Sequence, residues 1–456
     1  MKEAENVIHL TESVCPVCLK KVKARHVKIN DDIYLKKACE EHGEFSAIIW
    51  RGAEEPFYDS WTKPKWPVSH QKCLTKVDKG CPYDCGICPE HKQQSCCVLI
   101  EVTERCNLNC SFCFASSGGE SKDPSLEEIR GWLGVLLKTG KPFIHISGGE
   151  PTVRNDLPEI IKMISDMGFP YIQLNTNGLR LGKEPEYAKI LKEAGLSSVF
   201  MQFDGTKGEI YSKLRGRDVL ADKEKAIKNC GDNNLGIVLV PTVVPGVNDD
   251  NIGAIVNYGI SKAPAVRGIH FQPVSYFGRY PTAPLDEERI TLPEVLRGIE
   301  NQTEGKFKVE HFAPSGCDNA RCGFHGDFVI MPDGNVKQLT RKSEGGCCCS
   351  KSDSSGVEKN RNFVKRRWVR ESSKPKITSV KSDVKLDELD IFLERLKSHG
   401  FTITGMAFQD CWNMDLERLQ ECSLHILSPD GKIIPFCAYN LSSTEGKSLY
   451  RKNSCE

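Results

Sequence analysis

Two cysteine runs lie close together in the first quarter of the chain, Cys81, Cys85, Cys88 and Cys106, Cys110, Cys113, each spaced Cys-x3-Cys-x2-Cys. Three thiolates so spaced can bind three irons of a [4Fe–4S] cluster and leave the fourth iron open, since thiolate is the soft donor such a cluster takes. A zinc knuckle is the other use of one such run. The second run stands in "EVTERCNLNCSFCFA", with an apolar stretch before it and Phe112 and Phe114 around its last cysteine. The next apolar stretch, "FIHISGGEPT", closes on Gly148, Gly149, Glu150 and Pro151. Glycines there let backbone approach a ligand closely, and Glu150 can accept from an ammonium group.

Other cysteines extend the metal chemistry. Cys15-x2-Cys18 and Cys39-x2-His42 face each other across a stranded segment and make a four-ligand tetrahedral site, rubredoxin-like with iron or ribbon-like with zinc, with Cys73 as an alternative to His42. Cys96 is the nearest fourth ligand for an auxiliary cluster on Cys81, Cys85 and Cys88. Cys317 and Cys322 precede one Asp-Gly hairpin signal (Asp333-Gly334), and Cys422 and Cys437 flank a second (Asp430-Gly431). Pairing of the hairpins would gather these four around a further cluster, with Cys411 to spare. Cys347, Cys348 and Cys349 sit in a Ser/Gly/Lys-rich stretch and read as surface thiols; Cys230 and Cys455 are expected to have no chemical role.

The positioning elements follow from pattern. Residues 1–70 hold short strands between polar turns, the metal-binding domain; 71–98 form the auxiliary Fe–S segment. From 99 to 304, "CCVLIEVT", "PFIHISG", "YIQLNTNG", "SVFMQFDG", "GIVLVPTVV" and "GIHFQPVS" alternate with amphipathic stretches such as "SLEEIRGWLGVLLKTG", "DLPEIIKMISDMG" and "EPEYAKILKEAG", the last stopped by Gly195. This predicts an α/β fold of βαβ units around a parallel sheet, a partial (βα)6 barrel, with a flat doubly wound sheet as the topological alternative. In a barrel the triad loop that follows "LIEVT" falls at the C-terminal ends of the strands, where active sites form. Residues 305–456 are expected as a Cys-rich C-terminal auxiliary-cluster domain with a polar, basic insert at 343–385.

With 456 residues, 22 cysteines and a formal net charge of +1, the chain has metal-like cysteine spacings and no apolar leader, which predicts a reducing cytoplasm and bound metal. A nucleic-acid module would be basic with interleaved aromatics, so no nucleic acid is expected.

"CNLNCSFC" paired with "SGGEP" resembles the radical S-adenosylmethionine (SAM) superfamily over residues 99–275. The resemblance implies that Cys106, Cys110 and Cys113 hold a [4Fe–4S] cluster whose free iron chelates SAM, and that a low-potential donor supplies the electron for its cleavage. It also implies SAM contacts from Gly148, Gly149 and Glu150, from Asn175, Thr176 and Asn177 in "NTNG", and from Gln202 and Asp204 in "MQFDG", with Thr242 and Asn248 toward the adenine. Each polar residue could equally cap the helix that follows it. Arg215 could bind a carboxylate or be a solvated helix charge.

The layout "CPVC…CEEHGEF", "CPYDCGICPEHKQ", the SAM triad and "DGKIIPFCAYN" is similar to one branch of that superfamily. That branch includes archaeal tetraether lipid synthases, which implies hydrogen abstraction from terminal methyls of isoprenoid phospholipid chains and their carbon–carbon coupling. It also includes methyltransferases of 7,8-dihydro-6-hydroxymethylpterin, the alternative activity, in which Cys81, Cys85 and Cys88 would be a second SAM site. "KNRNFVKRRWVRESSKPK" in the insert could lie on an anionic membrane or serve as a solvated basic linker.

Overall fold

The computed structural model describes residues 6–63, 73–118, 122–340, 356–369 and 388–451. Cys347, Cys348, Cys349, Cys455 and residues 370–385 of the insert lie outside them.

An antiparallel meander opens the chain: β1 (Asn6–Val14), β2 (Lys21–Ile29), β3 (Asp32–Cys39) and β4 (Gly43–Trp50), in sheet order β1-β2-β3-β4. It docks on the C-terminal region, where buried His26 pairs with Asp415 at 3.1 Å and the Lys37 ammonium donates to the Cys411 carbonyl at 2.7 Å.

The barrel sheet follows. β5 (Cys97–Glu101), β6 (Phe143–Ser147), β7 (Ile172–Thr176), β8 (Ser198–Gln202), β9 (Gly236–Val240) and β11 (Val266–Pro273) are parallel neighbours in that order, and the short β10 (Thr242–Val243) also pairs with β11. The six expected strands are all present. Alternation explains the layers: Ile100, Ile146, Leu174, Val199, Leu239 and Ile269 enter the main core beneath the helices. Their neighbours Leu99, His145, Asn175, Phe200 and His270 face the inside of the barrel. Helix Leu126–Leu137 begins at a Ser125–Glu128 capping box, and helix Tyr187–Glu193 stops just before Gly195, whose φ of +112° is left-handed territory.

The C-terminal region extends both edges of this sheet. β15 (Gly400–Met406) adds to β11; β13 (Gly323–Ile330) pairs antiparallel with β15 and carries β12 (Ala313–Pro314) and β14 (Val336–Gln338). At the far edge β16 (Leu424–Leu427) pairs with β5, and β17 (Ile433–Pro435) with β16. The two Asp-Gly hairpins therefore do not pair, as had been expected, but occupy opposite edges. A loop joins those edges. Ser423, just ahead of β16, donates to Asp318 from its amide (2.8 Å) and hydroxyl (2.7 Å), and Asn319 donates to Glu421 (2.8 Å). The sheet is thus curled into a barrel rather than doubly wound and flat.

Within the insert, Gly356–Trp368 is a helix packed on the barrel. Trp368 is buried and donates to the Thr402 hydroxyl at 2.9 Å, and Arg367 pairs with Asp327 at 2.7 Å. Among the described residues no helix is long and apolar enough to cross a membrane.

Candidate active site and metal centres

The loop carrying Cys106, Cys110 and Cys113 leaves β5 at the C-terminal rim, as a barrel active site requires. Its shape is set from two sides. Arg279 donates to the Cys110 carbonyl (3.0 Å) and the Ser117 carbonyl (3.1 Å), while its backbone and that of Cys113 exchange hydrogen bonds at 2.9 Å. From the other side the amides of Gly149 and Glu150 donate to the carbonyls of Thr103 and Arg105, each at 2.8 Å. A Cβ on Gly148 or Gly149 would collide with those same carbonyls, so the two glycines are what seats the "GGEP" turn on the triad loop.

Glu150 is buried, and its carboxylate is fully engaged inside the protein. It accepts from the Thr152 amide (3.0 Å) and hydroxyl (2.6 Å), the Thr176 hydroxyl (2.7 Å) and the Asn177 amide (2.7 Å). The side chain expected to meet an ammonium group thus locks the end of β6 to the end of β7. Several other expected contacts form scaffold of the same kind. Asn177 donates to Asn107 (2.7 Å) and caps toward the Leu179 amide (3.0 Å). Asp204 takes a bidentate pair from Arg215 (2.8 and 2.6 Å) and a bond from Gln202 (2.9 Å). Asn248 donates to the carbonyls of Asp204 and Thr242, both at 2.8 Å. Arg215 does bind a carboxylate, but an internal one. Asn175 is different: it lines the barrel cavity with a buried Oδ1 that has no partner, an acceptor shaped for a bound molecule.

Lys223 was not anticipated. It is fully buried on helix Leu220–Asp232, which precedes β9, donating to the carbonyls of Asn177 (2.8 Å) and Gln202 (2.7 Å), and burial brings its pKa down to about 8. A lysine on the inner face of an amphipathic helix was the available signal.

The barrel encloses a cavity of about 240 Å³ running from Phe112, Cys113 and Phe114 at the C-terminal rim to Cys96, Cys97 and Cys317 at the opposite end. Aromatic rings dominate its lining, broken by Asn175, Gln272 and the imidazoles of His145 and His270. Burial pulls the His145 pKa to about 3 and that of His270 to about 4, so both are neutral; His270 bonds the Thr404 hydroxyl at 2.8 Å. Both histidines stand inside the strand runs "FIHIS" and "GIHFQP", where a polar residue at an inward position was the sign that reading by hydrophobicity passed over.

Cys15, Cys18, Cys39 and His42 converge so closely that one ion can be bound by all four. Cys18 and Cys39 lie 4.0 Å apart, and His42 Nδ1 is 3.6 Å from Cys15 and 3.5 Å from Cys39. Tetrahedral zinc thiolate requires sulfurs about 3.8 Å apart. His42 holds the Cys39 thiol down at about 6, ready as thiolate. Exposed Cys73 is not part of this set, which leaves His42 as the fourth donor.

Cys81, Cys85 and Cys88 are buried together beneath the C-terminal segment, where Tyr450 accepts from the Cys85 amide at 2.9 Å. Cys96 does not join them. It lies against Cys317 at the base of the barrel, because Cys97 begins β5 and carries it there. Around this point Asp318 interacts with Cys96, Cys317, Cys322 and Cys422, and Cys437 with Cys322 and Cys422. The expected group of Cys317, Cys322, Cys422 and Cys437 is thus in one neighbourhood, brought together by barrel closure rather than by hairpin pairing, with Cys96 added.

A partial barrel with a three-thiolate loop at its rim, a glycine turn seated on that loop and an unpartnered acceptor facing the cavity fits a cluster that presents SAM. A family model described as the radical SAM superfamily matches residues 100–259, and one described as the HMPTM N-terminal zinc ribbon domain matches residues 7–51. The chain belongs to the radical SAM superfamily and is an enzyme using a [4Fe–4S] cluster and SAM. Along almost its whole length it is similar to the 7,8-dihydro-6-hydroxymethylpterin dimethyltransferase of Methanocaldococcus jannaschii, 38% identical over 94% of this chain and 93% of the relative. GTP 3',8-cyclase of Pelotomaculum thermopropionicum is 35% identical, over 39% of this chain and 55% of that relative. Among solved structures, Streptococcus suis SuiB matches 46% of each chain at 15% identity with a TM-score of 0.40.

Proposed function

We propose that the protein is a radical SAM methyltransferase acting on a reduced pterin of the 7,8-dihydro-6-hydroxymethylpterin class. The observation that carries this reading is the near full-length similarity to a dimethyltransferase of that pterin, over 94% of this chain and 93% of the relative. Cys106, Cys110 and Cys113 would hold the cluster, which with SAM would supply radical hydrogen-abstraction chemistry. This chain's residues do the rest. Gly148 and Gly149 hold the loop at its working distance, Asn175 offers its free acceptor to the bound molecules, and the aromatic lining keeps water from the reacting carbon. Neutral His145 and His270, with Gln272, offer donors and acceptors to a heterocycle edge. Cys81, Cys85 and Cys88, and the Cys317 neighbourhood with Cys96, are the candidate ligands of auxiliary clusters, and the ribbon set holds zinc or iron.

A second reading, coupling of isoprenoid lipid chains, is favoured by one observation: the cavity is mostly apolar and deep, as a saturated chain needs. One experiment separates them. Cluster-loaded enzyme, reductant and SAM are offered 7,8-dihydro-6-hydroxymethylpterin or a phytanyl diether phospholipid under anaerobic conditions, and products are followed by mass spectrometry. A pterin heavier by methyl groups, formed with deoxyadenosine, supports methyl transfer. A coupled lipid lacking hydrogens would move the assignment to the second reading, and deoxyadenosine with neither product would exclude both substrates.

A further inference from the structure

The insert helix Gly356–Trp368 does more than pack on the barrel. Asn360, Phe363, Val364 and Trp368 line the cavity at the end opposite the cysteine triad. The strand starts Cys97 and Phe143 share that end with them. Phe143 and Tyr171 at the strand starts pack on Trp368 as one apolar cluster, with Val364 and Phe200 against it. We propose that this helix is a fixed end-stop that sets the depth of the substrate cavity, with Phe363 and Val364 as the specificity-determining residues that a long substrate meets.

Three features hold the stop in place. Buried Arg267 donates from Nε to the Arg367 carbonyl at 2.8 Å, placing a cation at the helix C-terminus where the backbone dipole favours one. Gly236 opens β9 with no side chain, and a Cβ there would press on the Trp368 carbonyl. At the other end Arg361 donates to the Cys96 carbonyl at 3.1 Å, and Asn360 lies 3.4 Å from the Cys96 sulfur. The helix is therefore braced against the base of the barrel along its length, while Phe363 and Val364 between these anchors remain only partly buried and face the cavity. The inference does not depend on which substrate the enzyme uses, since it concerns where the cavity ends.

Its test measures cavity length directly. Metal-loaded full-length enzyme with SAM bound is titrated with saturated n-alkyl carboxylates of increasing chain length, displacing 1-anilinonaphthalene-8-sulfonate. In the parent, affinity is expected to climb about fourfold per buried methylene and then level off where the chain meets the helix. Phe363→Ala with Val364→Ala moves that plateau to longer chains. Val364→Trp, which only adds volume and does not rely on tolerance of a void, moves it to shorter ones. Unchanged circular dichroism and iron content show that each variant is folded. Coincident plateaus in all three proteins, or no dependence on length in the parent, would overturn the proposal.

Discussion

The two Cys-x3-Cys-x2-Cys runs share a spacing and differ in almost everything around it. Cys81, Cys85 and Cys88 are 8, 7 and 7% exposed, sealed under Tyr450 and the C-terminal apolar cluster. Their turn is tied by Asp84, which accepts from the amides of Asp78 and Gly80 at 2.7 Å. Cys106, Cys110 and Cys113 are half-buried on the barrel rim, and Cys113 lines the cavity. The rim loop stands beside the cavity, where an open iron could meet a cofactor, whereas the buried run is packed against protein. Spacing defines what can be ligated; surroundings define what the ligated group can then do.

Replacing each run separately should show this most strongly. Cys106→Ala, Cys110→Ala and Cys113→Ala together should leave a folded protein that forms no deoxyadenosine, because the loop is half-exposed and held mainly through its backbone. Cys81→Ala, Cys85→Ala and Cys88→Ala should lower iron content and also the unfolding temperature, since small side chains in that packed cluster leave cavities. Iron per chain, deoxyadenosine yield and thermal unfolding of the two triple variants decide it; equal thermal losses would remove the distinction.

The next effect is smaller and falls on one side only. Arg279→Ala removes the donors to Cys110 and Ser117 that shape the rim loop. Deoxyadenosine formation should fall by roughly tenfold or more, in line with about 1.5–3 kcal/mol for a charged hydrogen bond, while iron on the buried run stays. Tyr450→Phe is the reciprocal change. It takes the acceptor from the Cys85 amide and should cost about 1 kcal/mol of stability, read by denaturant titration, with little change in deoxyadenosine yield per bound SAM.

How far this contrast was visible in the sequence depends on what kind of contact makes it. The six barrel strands were legible because parallel strands buried on both faces are near-continuous apolar runs. The rim loop was legible because it follows one of them directly. Cys96 was misassigned to the first run because nearness in sequence stood in for nearness in space, and the start of β5 at Cys97 fixes Cys96 at the base of the barrel beside Cys317. Asp-Gly turns reveal hairpins but not the sheet edge each one joins, since that depends on β15 and β5, far away in the chain. The insert helix did carry a signal: Val357, Asn360, Val364 and Trp368 recur at helical spacing, hidden among Lys365, Arg366 and Arg367. The scaffold role of Glu150 could not be read at all, because burial alone distinguishes it from a surface charge.

The smallest predicted effect concerns pH, and it divides the molecule the same way. His145 and His270 are neutral in the cavity, while His91, on the buried run's side, is drawn to about 4 by burial and sits 3.1 Å from His425. In each case the folded pKa lies below the unfolded value of about 6.5. The unfolded chain therefore binds protons that the folded chain does not. Stability is complete above about pH 6.5 and declines as pH falls from there toward 4, by at most about 1.4 kcal/mol per pH unit for each histidine. His145→Phe should flatten that slope by one proton. Cavity ligands should distinguish the two pairs: SAM with substrate covers His145 and His270 and leaves His91 and His425 untouched. Proton uptake on acid unfolding, measured with and without those ligands, should therefore change its pH dependence in the parent and about half as much in His145→Phe, where His270 remains. An equal change in both proteins would mean that the cavity histidines do not face the ligand.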